Sequence, residues 1–400
     1  MAVNSLTYED SHAFLMSLYQ QATGDASLTG VTTADFTTVA QAVLATGYDN
    51  IISSISQVLG RTIFSVRPYS AKFRGLEADA HRWGAITRKI NFVDGSLETD
   101  LRMSLTNGSS VDPWVVNKPD ALETNFYGST EYQRSVTIFR DQLDAAFQSE
   151  GQFNSFISGV MQNIADQLEQ VKEAESRGVL INLITGRVAQ EAVPNVETGL
   201  VINVLQAYRD ETGTTLTPTS MYATANWPDF SRWFFGFLET LQRRLANRTE
   251  VYHTNVTGKE IMRHTPAEFL KAYIYAPIIA KIDAEVKSTT FRPEYLKAID
   301  WEEVDYWQAL DTPDGVLATP VYMLNDGTLD TAAAPVGVDH VIGVLFDRDA
   351  CGITTESTWM EATPFNAAGG YYNIFYHFRQ RTWMDYTENS IILIADTTTP

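Results

Sequence analysis

The stretch from Ser149 to Thr185 constrains this chain more than any other. Phe153, Phe156, Ile157, Val160, Met161, Ile164, Leu168 and Val171 recur at a 3.6-residue period, which places them on one face of an amphipathic helix. Ser149 followed by Gln152 reads as a capping box at its start. Val179, Leu180, Leu183 and Ile184 continue the stripe until Gly186. A helix over 149–185 spans roughly 50 Å at 1.5 Å per residue, well beyond the usual three turns. Such a helix predicts an extended, flattened molecule organised along one spine.

The segments on either side change character. Residues 1–32 are small and polar after a short apolar stretch at Phe14, Leu15 and Leu18, and read as an arm or capping segment. Two short helices are predicted next, on the spacings Phe36, Val39, Ala40, Val43, Leu44 and Ile51, Ile52, Ile55, Val58, Leu59, the second stopped by Gly60. Between Trp83 and Tyr127, the β-branched run ITRKINFV (86–93), the turn pairs Asp94-Gly95 and Asn107-Gly108, and WVV (114–116) predict a long β-hairpin with a wide polar tip. The tip carries Asp94, Glu98, Asp100 and Asp112 against Arg102, with few apolar residues. A lone hairpin of this kind is marginal in water, so it is expected to lie on another surface. After Gly186, helices are predicted at 196–209, 229–247, 265–275 and 278–287, punctuated by prolines. The chain closes with the strands VIGVLF (341–346), YYNIFYHF (371–378) and SIILIA (390–395), the last two separated by a polar stretch at Asp385 to Asn389.

Composition removes several function classes. Lys plus Arg number 29 against 49 Asp plus Glu, a formal charge of -20, which repels phosphate backbones and argues against a dedicated nucleic-acid reader. The single cysteine, Cys351, rules out an intrachain disulfide and a Cys-built zinc cage, in keeping with folding in a reducing cytosol. The start MAVNSLTYED lacks signal-peptide character, and no window reaches 18 uninterrupted apolar residues. Aromatic residues make up 12% of the chain; because aromatics concentrate at protein interfaces, this points to extensive assembly.

Catalytic patterns are missing or weak. There is no phosphate-binding G-x-x-x-x-G-K-[ST] loop, no H-E-x-x-H, no G-x-S-x-G and no G-x-G-x-x-G, and the six histidines stand singly. Asp347 and Asp349 form a D-x-D pair suited in type to a divalent cation, but without a calcium-loop glycine pattern they read as a polar strand end. Cys351 beside them reads as a buried small apolar residue. Glu302 and Glu303, set among Trp301, Tyr306 and Trp307, are the most enzyme-like feature, because glycoside hydrolases combine paired carboxylates with aromatics. Adjacent acids on a helix diverge, so a solvated face over core aromatics is the preferred reading. The charge pattern is more informative at 61–91, where Arg61, Arg67, Lys72, Arg74, Arg82, Arg88 and Lys89 face only Glu77 and Asp79. In an otherwise acidic chain this strip suits docking onto acidic parts of neighbouring copies.

This order of elements resembles the Hong Kong 97-type fold of tailed-phage major capsid proteins. RPYSAKFRGLEADAHRWGAITRKINFVD (67–94) and VNKPDALETNFYGSTEYQRSVTIFRDQLDAAF (116–147), with the helix after them, look like the extended loop and spine helix of the short-tailed phage proteins. FDRDACGITTESTW (346–359) and YNIFYHFRQRTWMDYTENSIILIAD (372–396) look like the closing peripheral strands and last strand. The resemblance implies an α+β chain with an N-terminal arm (1–60) and an extended loop (83–127). It further implies a peripheral domain (61–82, 128–190 and 350–386, spine helix about 149–185) and an axial domain (191–349 and 387–400).

By the same resemblance, the protein is a non-enzymatic shell subunit of the virion that assembles in the host cytoplasm. It forms pentamers and hexamers of an icosahedral head around double-stranded DNA. Its implied partners are its own copies, a portal protein, a separate scaffolding protein, a decoration protein, and the packaged DNA without sequence-specific binding. No cofactor, metal or catalytic residue is implied. Arg74, Arg82, Trp83, Arg88, Lys89, Asp94, Asp100, Asp112 and Trp114 are the candidate subunit-interface residues, with the acidic tip of one hairpin lying on the basic strip of the next subunit. An encapsulin-like compartment of the same fold and an acidic carbohydrate-active enzyme are the alternatives.

Overall fold

The computed structural model describes residues 72–78, 86–95, 104–112, 116–146, 150–193, 199–289 and 300–396, with isolated positions at Leu15, Met16, Gln20, Val39, Val43 and Trp114. The arm at 1–60 therefore lies almost wholly outside the described residues; its five described positions are helical, and Leu15, Val39 and Val43 are buried.

In chain order, a short helical turn (Arg74–Leu76) is followed by the strands β1 (Ile86–Phe92), β2 (Ala121–Tyr127) and β3 (Thr130–Phe139), then the helices α1 (Arg140–Ala146) and α2 (Glu150–Glu191). β4 (Val201–Asn203), α3 (Val204–Thr212), α4 (Trp227–Leu245), β5 (Leu270–Tyr275), α5 (Ala276–Thr289) and β6 (Trp301–Val304) follow. Four three-residue strands come next: β7 (Val316–Ala318), β8 (Val321–Met323), β9 (Leu329–Thr331) and β10 (Val336–Val338). The chain closes with β11 (Val341–Asp347), β12 (Cys351–Ala362), β13 (Tyr371–Met384) and β14 (Ser390–Ile394).

These elements fall into two compact units. The first is Met1–Trp83, Gly128–Glu175 and Ile353–Arg381, and the second is Gly84–Tyr127, Ser176–Gly352 and Thr382–Pro400. The first unit holds a three-stranded sheet in the order β12-β13-β3, with β13 and β3 antiparallel from Tyr371↔Phe139 to Gln380↔Thr130. Along β13, Tyr372, Ile374 and Tyr376 are buried at alternate positions, the period of a sheet with one face covered.

The second unit is built on the five-stranded sheet β4-β14-β11-β5-β6. β11 is antiparallel to both β14 and β5, while β4 and β6 add parallel edges. Every residue of β11 and of β14 is buried, as their uninterrupted apolar runs require of strands covered on both faces. Val204, Leu205 and Tyr208 of α3, Phe230, Phe234, Leu238 and Leu241 of α4, and Ile278, Ile279 and Ile282 of α5 form one core with Ile342, Leu345, Ile391 and Leu393 of the sheet. Local signals set the helix ends. Asn203 caps α3 by accepting from the Gln206 amide, Gly213 closes it in the left-handed conformation at φ 70°, and a proline sits in the first turn of α4.

Three sequence expectations need correction. The helix expected over 265–275 is partly the strand β5: Leu270, Ala272, Tyr273, Ile274 and Tyr275 are buried against β11 and the helices, and this packing overrides the weak helical spacing. The helix expected over 196–209 starts only at Val204, because Val201 to Asn203 pair with β14. The spine helix does not stop at Gly186 but continues to Glu191.

Gly186 is there for packing. A Cβ at this position would lie 2.2 Å from the Tyr386 hydroxyl, and that hydroxyl is fixed by donating to the Val321 carbonyl at 2.8 Å. Gly186→Ala is therefore expected to destabilise the subunit by about 1–3 kcal/mol through overpacking, although alanine is the better helix former. A thermal melt of the unassembled subunit checks the sign.

Candidate assembly interface

β1 and β2 pair antiparallel from Ile86↔Tyr127 to Phe92↔Ala121, so their side chains alternate between two faces. Arg88, Ile90 and Phe92 of β1 and Glu123, Asn125 and Tyr127 of β2 are exposed, whereas Lys89 and Asn91 are half-buried. The two faces do different work.

The inner face is clamped by charge within the second unit. Lys89 Nζ lies 2.7 Å from Asp385 and 2.5 Å from Glu388. Arg263 bonds Glu388 at 3.1 Å, donates to the Thr387 carbonyl at 2.9 Å, and reaches Asn91 of the hairpin at 3.2 Å. At the hairpin's end Asp94 accepts from Arg248 at 2.6 Å and from the Met262 amide at 2.7 Å. On the other strand Lys259 donates to the Ala121 carbonyl at 3.0 Å.

The clamp stands on the polar run Asp385 to Ser390 between β13 and β14. All six of its residues are buried, which polar groups tolerate only when hydrogen-bonded. Asp385 accepts from the Thr387 amide at 2.9 Å and from its hydroxyl at 2.6 Å. His253 contacts Asn389 at 3.1 Å and the Ile261 carbonyl at 2.6 Å. Arg187, fully buried, reaches Ser390, Gln190 and Thr254 and the carbonyls of Tyr386 and Glu388.

Titration follows from these contacts. Burial alone would lower the Lys89 pKa, but Asp385 and Glu388 outweigh it and hold it above its ordinary value. Burial alone would raise Asp385, but Lys89 and Thr387 hold it below the usual carboxylate range. Glu388 is raised, because its burial outweighs Lys89 and Arg263. Burial pushes His253 down to about 4, so it is neutral at pH 7.

The outer face presents Ile90, Phe92 and Tyr127 to solvent, with Val116 and Trp114 exposed in the tip. Asp112 accepts from the Trp114 amide at 2.9 Å. Arg88 pairs with Glu123 at 3.0 Å across the exposed face. Of the other residues expected at the interface, Arg74 opens a short helical turn, Arg74–Leu76, in the first unit, and Arg82, Trp83 and Asp100 lie outside the described residues. Lys89 and Asp94 are thus engaged with their own chain, while Arg88, Asp112 and Trp114 sit on outward surfaces. No motif marks Asp385, Glu388, Arg263, Arg187 or Arg248 in the sequence. Their one signal is the polar run at 385–389 between two apolar strands.

Glu302 and Glu303 belong to strand β6 rather than to a helix, so their side chains point to opposite faces and form no dyad. Asp347 is buried and accepts from the Thr265 hydroxyl at 2.8 Å and the Asp349 amide at 3.0 Å, closing the turn before β12. Cys351 is buried and its thiol is pushed up by that burial, which disfavours the reactive thiolate. Among the described residues no group of three or more His, Cys, Asp or Glu is placed to hold a metal ion.

Comparison with known families decides what kind of molecule carries this hairpin. The family model of Phi29-like phage major capsid proteins matches residues 15–394. The chain belongs to this family. No curated protein matches it by sequence. The capsid structure of Staphylococcus phage Andhra superposes with a TM-score of 0.50 at 9% identity, covering 84% of this chain and 87% of that one. A structure of the head fiber and inner core protein gp22 of bacteriophage P68 gives 0.49 at 8% identity over 82% and 85%. The capsid of cyanophage P-SCSP1u gives 0.43 at 11% identity over 82% and 89%.

As a Phi29-like major capsid protein, the chain has the Hong Kong 97-type capsid fold and forms the icosahedral capsid of a tailed phage. Its place is the virion shell, and its first partner is another copy of itself.

Proposed function

We propose that the subunit builds pentamers and hexamers of a head that encloses double-stranded DNA, and that its hairpin, released from or carried beyond its own body, covers the first unit of the neighbouring subunit. The observation behind this reading is the two-faced hairpin. Its inner face is satisfied by ion pairs, whereas its outer face leaves Ile90, Phe92, Tyr127, Val116 and Trp114 in solvent, more apolar surface than an isolated strand pair tolerates without a cover. The subunit contributes no catalysis in this scheme; geometry alone sets its role. A portal protein, a scaffolding protein and a decoration protein complete the assembly. The net charge of -20 keeps the inner wall from gripping the genome.

Arg88→Glu tests the reach of the hairpin. The Arg88–Glu123 pair is exposed on both sides, and such pairs contribute about 0–1 kcal/mol, so the variant subunit is expected to fold as well as the parent. Loss of assembly by a normally folded Arg88→Glu subunit would place this face at a contact between copies; normal shells would remove Arg88 from it. The cargo is tested separately. Nuclease-treated particles should release double-stranded DNA on opening, and release of a protein cargo instead would favour the encapsulin-like compartment.

A further inference from the structure

The first unit contains a cavity of about 170 Å³ between α2 and its sheet. Leu168 and Val171 of the helix and Tyr376 and Phe378 of β13 supply apolar walls, while Trp359 and the exposed Arg134 line it at the surface. Trp359 is held in place by a stacked contact with His377, ring centres 5.0 Å apart and planes 8° from parallel. Tyr376 is buried, and its hydroxyl finds no hydrogen-bond partner among the described residues. An engineered apolar cavity of about 150 Å³ admits benzene; this space is slightly larger and open at the surface, so it can take up an aromatic side chain that enters from outside.

The same chain carries a matching projection. Trp114 is 85% exposed in the tip of the hairpin, the most exposed large apolar side chain among the described residues, and tryptophan is among the residue types enriched at interface hot spots. Asp112, whose carboxylate accepts from the Trp114 backbone amide, places a negative charge beside the indole. Arg134 places a positive charge beside the cavity.

We propose that Trp114 of one copy seats its indole in the Leu168–Trp359–Phe378 cavity of a second copy, with Asp112 opposite Arg134, and that this contact anchors each hairpin to its neighbour. The inference rests on the proposed reach of the hairpin and names the residue and the pocket that fix it. It also gives the tip a partner other than the basic strip at 61–91.

Cryo-electron microscopy of wild-type shells, with an engineered crosslink beside it, tests the anchor. Density for the Trp114 ring inside the cavity of the adjacent subunit is the expected result. Shells of the Trp114→Cys/Thr358→Cys protein, with Thr358 lining the same cavity, should give a ladder of covalent multimers under oxidation that either single variant lacks. The native Cys351 is buried and out of the reaction. Trp114→Ala should lower the yield of closed shells about tenfold, the effect of one hot-spot residue, and Trp114→Phe should retain most of it. A hairpin lying on the neighbour with Trp114 outside the cavity, no ladder and normal Trp114→Ala assembly would overturn the anchor and leave the reach standing. A hairpin that touches no neighbouring subunit in the finished shell would overturn both.

Discussion

Arg187→Ala is expected to lower the urea midpoint of the second unit, by a loss on the order of 4 kcal/mol. Arg187 is 0% exposed. Its guanidinium donates to Ser390 at 2.7 Å, Gln190 at 2.9 Å, Thr254 at 2.7 Å, and the carbonyls of Tyr386 and Glu388 at 3.1 Å each. Burial pulls its pKa down to about 10, which still leaves it charged at neutral pH. Alanine would strand the acceptors on Ser390, Gln190 and the Glu388 carbonyl, take one of two donors from Thr254 and from the Tyr386 carbonyl, and open a cavity at the joint between α2 and the 385–390 run. Arg187→Lys, with three donors in place of five, should lose roughly half as much. Far-UV circular dichroism against urea on the unassembled subunit reads both. A midpoint unchanged in the alanine variant would mean that water enters and satisfies the site, and that the hub does not hold the two elements together.

Lys89→Met is expected to free the hairpin. Removing one partner of a fully buried ion pair costs about 3–5 kcal/mol, because the other charge is left alone; Lys89 is half-buried, so a loss at or below the lower end is expected as Asp385, in a site 2% exposed, loses its closest cation and keeps its bonds from Thr387. Hydrogen exchange should locate the loss, with faster exchange of the β1 amides 86–92 and little change in β11. The Lys89→Met/Asp385→Asn protein should recover part of it.

The pH dependence of this contact has a definite sign. The Lys89 pKa is raised above 10.5, so its contribution is complete below that value and disappears as pH climbs through the raised one. The Asp385 pKa is lowered below 3.8, so its contribution is complete above that value and disappears as pH falls through the depressed one. Glu388 titrates above 4.5 and would be raised further without Lys89, so the gap between wild type and Lys89→Met should change through that range and stay flat from well above it up to 10.5. His253 acts separately. Its pKa falls from 6.5 to about 4 on folding, the unfolded chain takes up the proton first, and both proteins should lose stability together as pH drops from 6.5 towards 4. A gap between the two that varied within the flat range would show that Lys89 is not paired as described.

Much of this architecture was legible in the sequence because burial writes itself into periodicity. The stripe from Phe153 to Val171 marked α2, and the unbroken runs VIGVLF and SIILIA marked the central strands of the five-stranded sheet. Where two signals competed, the local one misled. Gly186 read as a helix end, since a glycine's packing against Tyr386 leaves no trace in its neighbours. LKAYIY read as a helix because six residues are too few to separate the two periods. The polar hub was invisible for a different reason. Asp385, Thr387, Glu388 and Asn389 look like a solvated turn, and only the arrival of Lys89, Arg187 and Arg263 from distant segments allows them to be buried.

The central claim is that this chain is a shell subunit. The most direct test is cryo-electron microscopy of the full-length protein, expressed alone and then with a phage scaffolding protein. Closed icosahedral particles of pentamers and hexamers, each subunit carrying the long helix, the hairpin and the five-stranded sheet, are the expected result. A chain that stays monomeric under both conditions and binds or cleaves a glycan would contradict it.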